Sequence, residues 1–462
     1  MISAIALDLG TTSIKAGLLS DGGTLGGVVV RAAPDVTADG GRYESDALAY
    51  AEAADAVLAE CMAQTVARPP LGLCSQRSSF LIWERATGQP VTPLISWQDD
   101  RGAESCAMLC DEEAVIRELT GLPLAAYYLA PKLRVLLNEN PSWRERLAGG
   151  AWLLGTLDTF LIWRWTGGRR HLTDASMAAR TLLMDIRSQQ WSPLLCELFD
   201  VPRQILPEIR PSAGWALQLM NGLTLQASVS DQSAALIASI ATDQPEALVN
   251  LGTGGFVIRY LPHGRSAPDG YLQTLVWQDK AGQAHFAAEG TLNSIAAALA
   301  PYAVDTCRAE DLACDDIFCL AEPSGLGAPY FRGDLGLSFS APVEHLPPQR
   351  VAALLLEGII FRVARILEDL HREFGIERVY LSGGLSALPC LQQGIARCAP
   401  FAATYRLTQP DASLTGAARL AAGMPLGGGS RSAEKVDTGR PAPQLPEKYA
   451  RWKVWLDGRL RA

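Results

Sequence analysis

Two short glycine and threonine segments, about 240 residues apart, constrain the fold of this chain more than any other feature. The first is Asp8-Leu9-Gly10-Thr11-Thr12-Ser13 and the second is Asn250-Leu251-Gly252-Thr253-Gly254-Gly255. Each follows an apolar run typical of a buried strand, and its glycines let the backbone approach a ligand closely. Backbone N–H groups and hydroxyls in such turns can hold phosphate oxygens. One such turn also fits an ordinary β-hairpin, but two in matching contexts indicate the two halves of one phosphate site.

Composition narrows the class of protein. A length of 462 residues with 48% hydrophobic content predicts two domains with a small appendage. The net charge of -9 argues against nucleic acid or an anionic membrane as the main partner, so local donors and a metal would hold a phosphate ligand. Ten cysteines without a CxxC motif favour reduced thiols. With no leader-like N-terminus and no long apolar run, we expect a cytoplasmic protein.

The order of predicted elements repeats once along the chain. Residues 2–32 predict an antiparallel meander, Ala47–Thr65 a helix and Leu71–Cys74 a buried strand. A second cycle of strands and a helix begins near Ala247 and ends with a helix predicted over Leu292–Tyr302. The sequence therefore predicts a duplicated α/β unit with a cleft between its copies.

The last third of the chain adds a second ligand-binding turn and a tail. Further elements are expected at Val351–Phe374 (helix), Arg378–Leu381 (strand) and Pro389–Cys398 (helix). The double glycine Gly383-Gly384 stands between that strand and the last helix, where a nucleotide can lie against the backbone. Gly427-Gly428-Gly429-Ser430 and a proline-rich stretch predict a linker or surface tail, pinned at its end by aromatic residues Tyr449, Trp452 and Trp455. The expected domains are 1–238, 239–425 and a tail at 426–462.

Two aspartates are candidates for chemistry. Asp231 stands between a predicted strand and an alanine-rich helix, where a carboxylate can act as general base for phosphoryl transfer to a hydroxyl. The same position also suits a helix N-cap. Asp8, the first polar residue after a buried strand, can hold Mg²⁺ directly or through water, although a turn-forming aspartate is the alternative.

Arg77 and Trp97 are the candidate acceptor-binding residues. Each stands at the end of a predicted strand, which is where α/β proteins bind small ligands. An aromatic face packs against C–H groups, and a guanidinium group binds hydroxyls, so the pair suits a polyhydroxy compound. A core tryptophan and a surface salt bridge are the alternatives.

The order of motifs resembles the FGGY family of carbohydrate and polyol kinases, within the actin-like ATPase superfamily, over roughly residues 4–425. Leu7–Lys15 and Leu251–Phe256 are similar to its two phosphate motifs, and Ser230-Asp231-Gln232 is similar to its catalytic-base motif. The resemblance implies an α/β fold of two actin-like (ribonuclease H-like) ATPase domains with a catalytic cleft between them. Later matches are Gly325–Tyr330, Leu381–Ser386 and Leu414–Ala418.

The resemblance also implies a set of site residues, ATP as phosphoryl donor and Mg²⁺ as cofactor. Within the family the motifs are most similar to those of glycerol kinases. The residues implied for the acceptor are Arg77, Ser78, Trp97, Tyr127, Asp231, Gln232 and Phe256; for ATP they are Gly10, Thr11, Thr12, Lys15, Gly252, Thr253, Gly327, Gly383, Gly384 and Leu388; and for the metal they are Asp8 and Asp231.

Three departures from the glycerol kinase pattern leave the acceptor open. Ser78 stands where glycerol kinases carry Glu, Ser230 where many relatives have Gly, and Leu388 where glycerol kinases have Asn. Loss of the carboxylate at 78 weakens binding of the original acceptor and makes space for a larger one. We therefore expect an ATP-dependent kinase acting on a small polyol or ketose, with a homodimer as a candidate assembly. The alternative is an actin-like ATPase with an assembly or regulatory role and no small-molecule acceptor.

Overall fold

A computed structural model describes residues 1–408, 410–427, 433–439 and 444–461. The strands are β1 Ile2–Leu9, β2 Ser13–Ser20, β3 Leu25–Ala32, β4 Thr37–Asp39, β5 Arg42–Ser45, β6 Leu71–Ser75, β7 Phe80–Glu84, β8 Leu94–Ile95, β9 Trp152–Thr156, β10 Leu172–Asp174, β11 Met184–Asp185, β12 Gln190–Trp191, β13 Glu208–Arg210, β14 Ala213–Gln218, β15 Thr224–Ser230, β16 Glu246–Leu251, β17 Gly255–Tyr260, β18 Leu272–Gln278, β19 Ala284–Leu292, β20 Cys319–Leu320, β21 Ser338–Phe339, β22 Arg378–Ser382, β23 Ala403–Leu407 and β24 Ala433–Lys435. The α-helices are α1 Ala47–Met62, α2 Ala103–Met108, α3 Glu113–Thr120, α4 Leu129–Glu139, α5 Ser142–Ala148, α6 Leu157–Trp165, α7 Ala175–Ala178, α8 Pro193–Leu198, α9 Asp231–Ser239, α10 Ile295–Leu299, α11 Pro348–Phe374, α12 Pro389–Cys398, α13 Ala412–Ala422 and α14 Gln444–Arg461. Short 3₁₀ helices lie at Cys110–Glu112, Arg203–Ile205, Val304–Thr306, Ala309–Asp311 and Gly384–Ala387.

The first compact unit contains residues 1–238, 274–286 and 411–426. Its main sheet has the order β14-β15-β6-β1-β2-β3. The antiparallel pairing of β1, β2 and β3 confirms the predicted meander, whereas β1, β6 and β15 run parallel. Parallel strands are buried on both faces, which accounts for the continuous apolar runs in β1 and β6. Helices α1 and α13 pack on this sheet.

The second unit contains residues 239–273, 287–410 and 427–462 within the described chain. Its sheet has the order β18-β19-β17-β16-β22-β23-β24. Strands β19, β17 and β16 are antiparallel neighbours, and β16, β22 and β23 run parallel, so the sheet repeats the pattern of the first unit. The predicted duplication of an α/β unit is therefore confirmed.

One predicted helix is much shorter than expected. The helix predicted over Leu292–Tyr302 extends only over Ile295–Leu299, because β19 continues to Leu292. Thr291 and Leu292 still pair with Phe256 and Gly255 of β17, so the strand occupies the residues that helical spacing favoured. Ser294, with φ of 54°, makes the change of direction before the helix.

The C-terminal segment is more structured than the linker that its composition predicts. Residues 433–435 form β24, which pairs with β23, and residues 444–461 form helix α14. Tyr449 and Trp452 are buried, as predicted, because their rings pack against Phe361 of α11. The glycines at 428 and 429 and Ser430 lie outside the described residues.

The contacts group the chain differently from the predicted domain boundaries, since α13 belongs to the first unit and the segment after residue 427 to the second. Those boundaries stay predictions.

No described helix is long and apolar enough to cross a bilayer.

Candidate functional site

Three parallel strands of the first unit end in one row. Leu9 of β1 is in register with Ser75 of β6, which is in register with Ser230 of β15. The residues that follow this row, Gly10, Gln76 and Asp231, therefore begin three loops at the same edge of the sheet. Carboxyl ends of parallel strands are the usual ligand sites of α/β proteins.

The first of these loops turns sharply at Gly10. The Gly10 N–H donates to Ser13 O at 3.1 Å, and a Cβ on Gly10 would lie 2.7 Å from the same oxygen. The Tyr50 hydroxyl donates to Gly10 O at 2.6 Å and fixes the turn from the helix α1 side. Only glycine fits this turn, which leaves the following backbone N–H groups for a ligand.

Thr11 links the phosphate loop to the candidate acceptor residues. Its hydroxyl accepts from Trp97 Nε1 at 2.8 Å and donates to Gln76 Oε1 at 3.2 Å. Because its proton is committed to Gln76, the Thr11 hydroxyl cannot also donate to a phosphate. The Thr12 side chain is exposed, and its hydroxyl makes no hydrogen bond with the described residues. Trp97 itself is 43% exposed, so the alternative of a core tryptophan is wrong.

Asp8 is a buried carboxylate in which only one of the two oxygens accepts a hydrogen bond from a described residue. Ser413 Oγ donates to Asp8 Oδ2 at 2.6 Å, whereas Asp8 Oδ1 is buried without a hydrogen-bond partner among the described residues. The Cys74 thiol, opposite Asp8 in the strand pair, is only a weak donor. Burial, and secondarily the charge of Asp231, raise the pKa of Asp8 to about 6 despite the Ser413 hydrogen bond. A cation would satisfy the orphaned oxygen and relieve the repulsion between the carboxylates.

The chemistry of these donors fits Mg²⁺. Among the described residues, no group of three or more His, Cys, Asp or Glu side chains could hold a metal ion. Mg²⁺ usually binds through one or two carboxylates, waters and substrate phosphates, so a protein cage is not required. Asp8 and Asp231, which influence each other electrostatically, are the carboxylates that suit this mode of binding.

Asp231 is the first residue of α9 rather than its cap. The hydroxyl of Ser230 accepts from the Ser233 N–H at 3.4 Å, which is the capping position, so the N-cap interpretation of Asp231 is wrong. Asp231 Oδ1 accepts from the Gln232 N–H at 2.7 Å. Desolvation raises the pKa of the Asp231 carboxyl, while the charges of Arg77 and Arg180 oppose that rise.

A buried hydrogen-bond network holds the backbone before Asp231. The Ser230 N–H donates to Ser176 Oγ at 2.8 Å, and Ser176 Oγ donates to Asp174 Oδ1 at 3.0 Å. The other Asp174 oxygen accepts from Ser212 Oγ at 2.7 Å and from the Ser176 N–H at 2.8 Å. The start of α9 is therefore tied to α7, which restrains the Asp231 carboxylate.

Two guanidinium groups lie near Asp231, and sequence reasoning found only one of them. Arg77 follows β6, whereas Arg180 follows α7, and both charges act on Asp231. Arg180 is buried, and its guanidinium carbon lies 5.5 Å from the centroid of the buried Tyr128 ring. The exposed Tyr127 donates from its hydroxyl to Tyr128 at 3.0 Å. Nothing in the local sequence of Arg180 marks it, because its position depends on how α7 packs beside β15.

Ser78 is turned away from solvent. Its side chain is 4% exposed, its φ is 62°, and its hydroxyl donates to Arg180 O at 3.1 Å. The left-handed backbone there is uncommon for a residue other than Gly, Asn or Asp. The hydroxyl therefore fixes the loop, and a contact of Ser78 with an acceptor stays a prediction.

Lys15 pairs with a carboxylate. Its ammonium group lies 2.7 Å from Asp411 Oδ1, just before α13. The resemblance implies that Lys15 contacts ATP, and that role stays a prediction. In the structure the Lys15 ammonium group is paired with Asp411.

In the second unit, the two glycine turns lie side by side. Asn250 of β16 is in register with Ser382 of β22, so the Gly252 and Gly383 turns follow neighbouring strands. A Cβ on Gly383 would lie 2.3 Å from Leu251 O, and φ at Gly383 is 87°. Thr253, Gly383 and Gly384 are exposed. This edge offers backbone N–H groups and one hydroxyl to a ligand.

Three other predicted residues of the second unit lie on separate elements. Gly327 allows a close approach of backbone, since its Cβ would lie 2.3 Å from Thr291 Oγ1. Leu388 directly precedes α12, and Phe256 lies on β17, both partly exposed. The contacts predicted for these residues with ATP or an acceptor stay predictions.

Two domain families match consecutive parts of the chain. The N-terminal domain of the FGGY family of carbohydrate kinases matches residues 3–249, and the C-terminal domain of the same family matches residues 247–424. The chain is 32% identical to a glycerol kinase of Rhodopirellula baltica, over 98% of this chain and 90% of that protein.

Solved structures share the fold. Plasmodium falciparum glycerol kinase with ADP superposes with a TM-score of 0.84 at 21% identity, over 98% of each chain. A xylulose kinase from Rhodospirillum rubrum superposes with a TM-score of 0.79 at 20% identity, over 99% of each chain. The predicted fold class, an α/β protein of two actin-like (ribonuclease H-like) domains, is confirmed.

Proposed function

Because the chain belongs to the FGGY family of carbohydrate kinases, it transfers a phosphoryl group from ATP to a hydroxyl of a small polyol or sugar, and we propose which residues carry the transfer. The assembly ATPase without an acceptor is not favoured by these matches. In the first unit we propose residues that bind the acceptor, act as the base and hold the metal. In the second unit we propose residues that bind the nucleotide.

Asp231 is the proposed general base. The observation that supports this role is a desolvated carboxylate at the carboxyl end of β15, with Gln232 N–H on one oxygen and the charges of Arg77 and Arg180 nearby. Such a carboxylate can accept the proton of the acceptor hydroxyl as that oxygen attacks phosphorus. The charges of the guanidinium groups oppose the rise in its pKa that desolvation causes, and these groups can bind neighbouring hydroxyls of the acceptor.

Asp8 is the proposed principal metal residue. Ser413 orients one of its oxygens, and the buried Oδ1 is left for a cation or a metal-bound water. Mg²⁺ bound there would neutralise phosphate charge during transfer. The Gly10 turn and Thr12 would hold phosphate oxygens beside it through N–H groups and a hydroxyl. In the second unit, Gly252, Thr253, Gly383 and Gly384 are the proposed nucleotide contacts.

Replacing Asp231 by Asn tests the base. We expect Asp231→Asn to lower kcat by about 10³-fold or more while the Kd for ATP, measured by calorimetry, changes less than about threefold. Asp269→Asn, at an exposed carboxylate, is the matched control and should keep wild-type kcat. Near-normal turnover of Asp231→Asn would remove the proposed base.

The proposed acceptor is larger than glycerol. Ser78 offers no carboxylate to the acceptor, and its own hydroxyl donates to Arg180 O. Loss of a carboxylate that accepts from two hydroxyls weakens binding by about 1–3 kcal/mol, which corresponds to roughly 5- to 150-fold. Exposed rings of Trp97 and Tyr127 offer area for a longer carbon chain.

A panel of glycerol, tetritols, pentuloses and heptuloses tests this acceptor class through kcat/KM. We expect at least one compound longer than glycerol to exceed it about tenfold. Ser78→Glu should move the preference towards glycerol, whereas Ser78→Ala, which adds no carboxylate, should not. A wild-type preference for glycerol would overturn the proposal of a larger acceptor but not that of the base.

The cytoplasmic location and the homodimer stay predictions.

A further inference from the structure

Lys132 is a fully buried lysine in the first turn of α4. Its side chain is 0% exposed. Its ammonium group donates to Ser78 O at 3.0 Å and to Ser96 O at 2.7 Å, and it lies 5.6 Å from the centroid of the Phe80 ring. The two accepting carbonyls belong to different loops, so one side chain bridges them.

Those two loops carry the proposed acceptor residues. Ser78 directly follows Arg77, and Ser96 directly precedes Trp97. The loops also meet where the Trp97 N–H donates to Ser79 Oγ at 2.9 Å. Ser78 has a left-handed backbone, which costs about 1–2 kcal/mol for a residue with a Cβ and persists only when neighbours hold it. The Lys132 hydrogen bond to its carbonyl is one of the contacts that hold it.

We propose that Lys132 is a positioning residue that sets the spacing between the Arg77 and Trp97 loops and thereby the affinity for the acceptor. This inference rests on the proposed acceptor site. Lys132 itself contacts backbone carbonyls, so it acts through the loops rather than on the substrate.

A charge buried at this place carries a cost in stability. Burial withdraws its charge from water and lowers the pKa of Lys132 to about 7, while Asp99 raises that pKa and Arg101 lowers it. Asp99 is already engaged by Arg101 and by the Tyr43 N–H, so it is not a dedicated partner of Lys132. A well-packed apolar residue of similar volume would avoid the cost of burying a charge. What an apolar residue cannot do is donate to both carbonyls.

The variant Lys132→Met tests the proposal. We expect the KM for the acceptor to rise about tenfold or more, with the KM for ATP within about twofold of wild type. Lys448→Met is the matched control, because Lys448 is 1% exposed and donates to Asp315 O and Glu357 in the second unit. It should lower thermal stability and leave the acceptor KM unchanged. A folded Lys132→Met with a wild-type acceptor KM would overturn the proposal.

A second measurement does not depend on the folding of Lys132→Met. Between pH 6 and 9 the wild-type ammonium loses its proton and becomes a weaker donor, so the acceptor KM should rise a few-fold with pH. In Lys132→Arg, whose charge cannot be lost, this rise should disappear. A wild-type acceptor KM that does not rise over this range, or an equal rise in Lys132→Arg, would contradict the inference.

Arg77→Ala separates this inference from the proposed function. If Arg77→Ala leaves the acceptor KM unchanged, the proposed acceptor site is wrong, and the Lys132 inference is lost with it. If Arg77→Ala raises the acceptor KM and Lys132→Met does not, only the Lys132 inference is overturned.

Discussion

Asp8 lies near the end of β1 and Asp231 directly follows β15, the two strands that flank β6 in one sheet, yet their surroundings suit them to different tasks. Asp8 has a hydroxyl donor on one oxygen and no partner on the other, whereas Asp231 faces Arg77 and Arg180. When the environments of two carboxylates differ in this way, the two groups can take different roles in a reaction. The first arrangement favours a cation, and the second favours proton transfer beside a hydroxyl-rich ligand.

His171, in the same unit, provides a prediction about acid stability. Its ring packs on Trp83, and Nε2 lies 2.8 Å from Leu154 O, so the neutral ring donates to that carbonyl. Burial lowers the pKa of His171 to about 4, below the 6.5 of an unfolded chain. The unfolded chain therefore binds the proton first, and stability is lost as pH falls from 6.5 towards 4, by at most about 3 kcal/mol.

His171→Gln should reduce this loss, since an amide can still donate to Leu154 O but cannot gain a charge. The check is the free energy of unfolding at pH 4.5 and pH 7, with His263→Gln, at an exposed position, as control. A wild-type pH dependence in His171→Gln would contradict the expectation.

At the residue scale, the sequence predicted loops better than contacts. The positions of the glycine turns and of Asp231 at the ends of strands were predictable because their signals are local: apolar strand, turn, helix. Arg180 was missed, and the Thr11 hydroxyl turned out to be engaged by Trp97, because both depend on packing between distant segments. The left-handed Ser78 likewise has no local signature, since serine does not ordinarily adopt that backbone.

At the scale of elements, two glycines let helix α13 approach the site strands. A Cβ on Gly416 would lie 1.8 Å from Ala234 O of α9, and a Cβ on Gly72 of β6 would lie 2.1 Å from Ala417 O. Helix α9 begins at Asp231, so the packing of α13 against α9 helps to fix the position of the proposed base. Ser413, in the first turn of α13, donates to the Asp8 carboxylate. One element thus supports both carboxylates.

Gly416→Ala should therefore harm stability and activity together. The methyl group must displace backbone rather than a flexible side chain, which we expect to cost at least about 2 kcal/mol in the free energy of unfolding. Displacement of α9 should also lower kcat in the fraction that remains folded. The control is Gly26→Ala in β3, where no atom lies within 4 Å of the added Cβ. Equal unfolding free energies for the two variants would show that α13 can shift without resistance.

At the scale of the whole molecule, the duplicated topology was predictable, whereas the membership of each segment was not. Alternating patterns identify strands and helices in order, and the order repeats in both sheets. They do not tell which sheet a late helix joins. The contacts place α13 in the first unit and the segment 444–461 in the second, whereas the predicted boundaries, which stay predictions, put them in the second domain and in a separate tail. Composition favoured a linker there, since glycine and proline precede α14, and the buried face of α14 carries only a few residues.

Helix α14 is accordingly expected to be an integral part of the second unit. Trp452 is 0% exposed, donates from Nε1 to Cys319 O at 2.9 Å, and packs at a tilt against Phe361, with 5.6 Å between the ring centroids. Truncation of such a residue to alanine typically costs about 3–5 kcal/mol. Trp452→Ala should therefore increase amide hydrogen exchange in α11, α12 and β20 of the second unit, while the strands of the first unit keep their protection.

Val454→Ala serves as the control, because that side chain is 74% exposed on the same helix. If Trp452→Ala exchanged no faster than Val454→Ala in α11 and α12, the helix would be a dispensable appendage, as its composition suggests. If protection fell equally in both units, the second unit would not unfold on its own. The predicted pattern instead requires local loss around Cys319 and Phe361, which are the groups that lose their contacts with the indole ring.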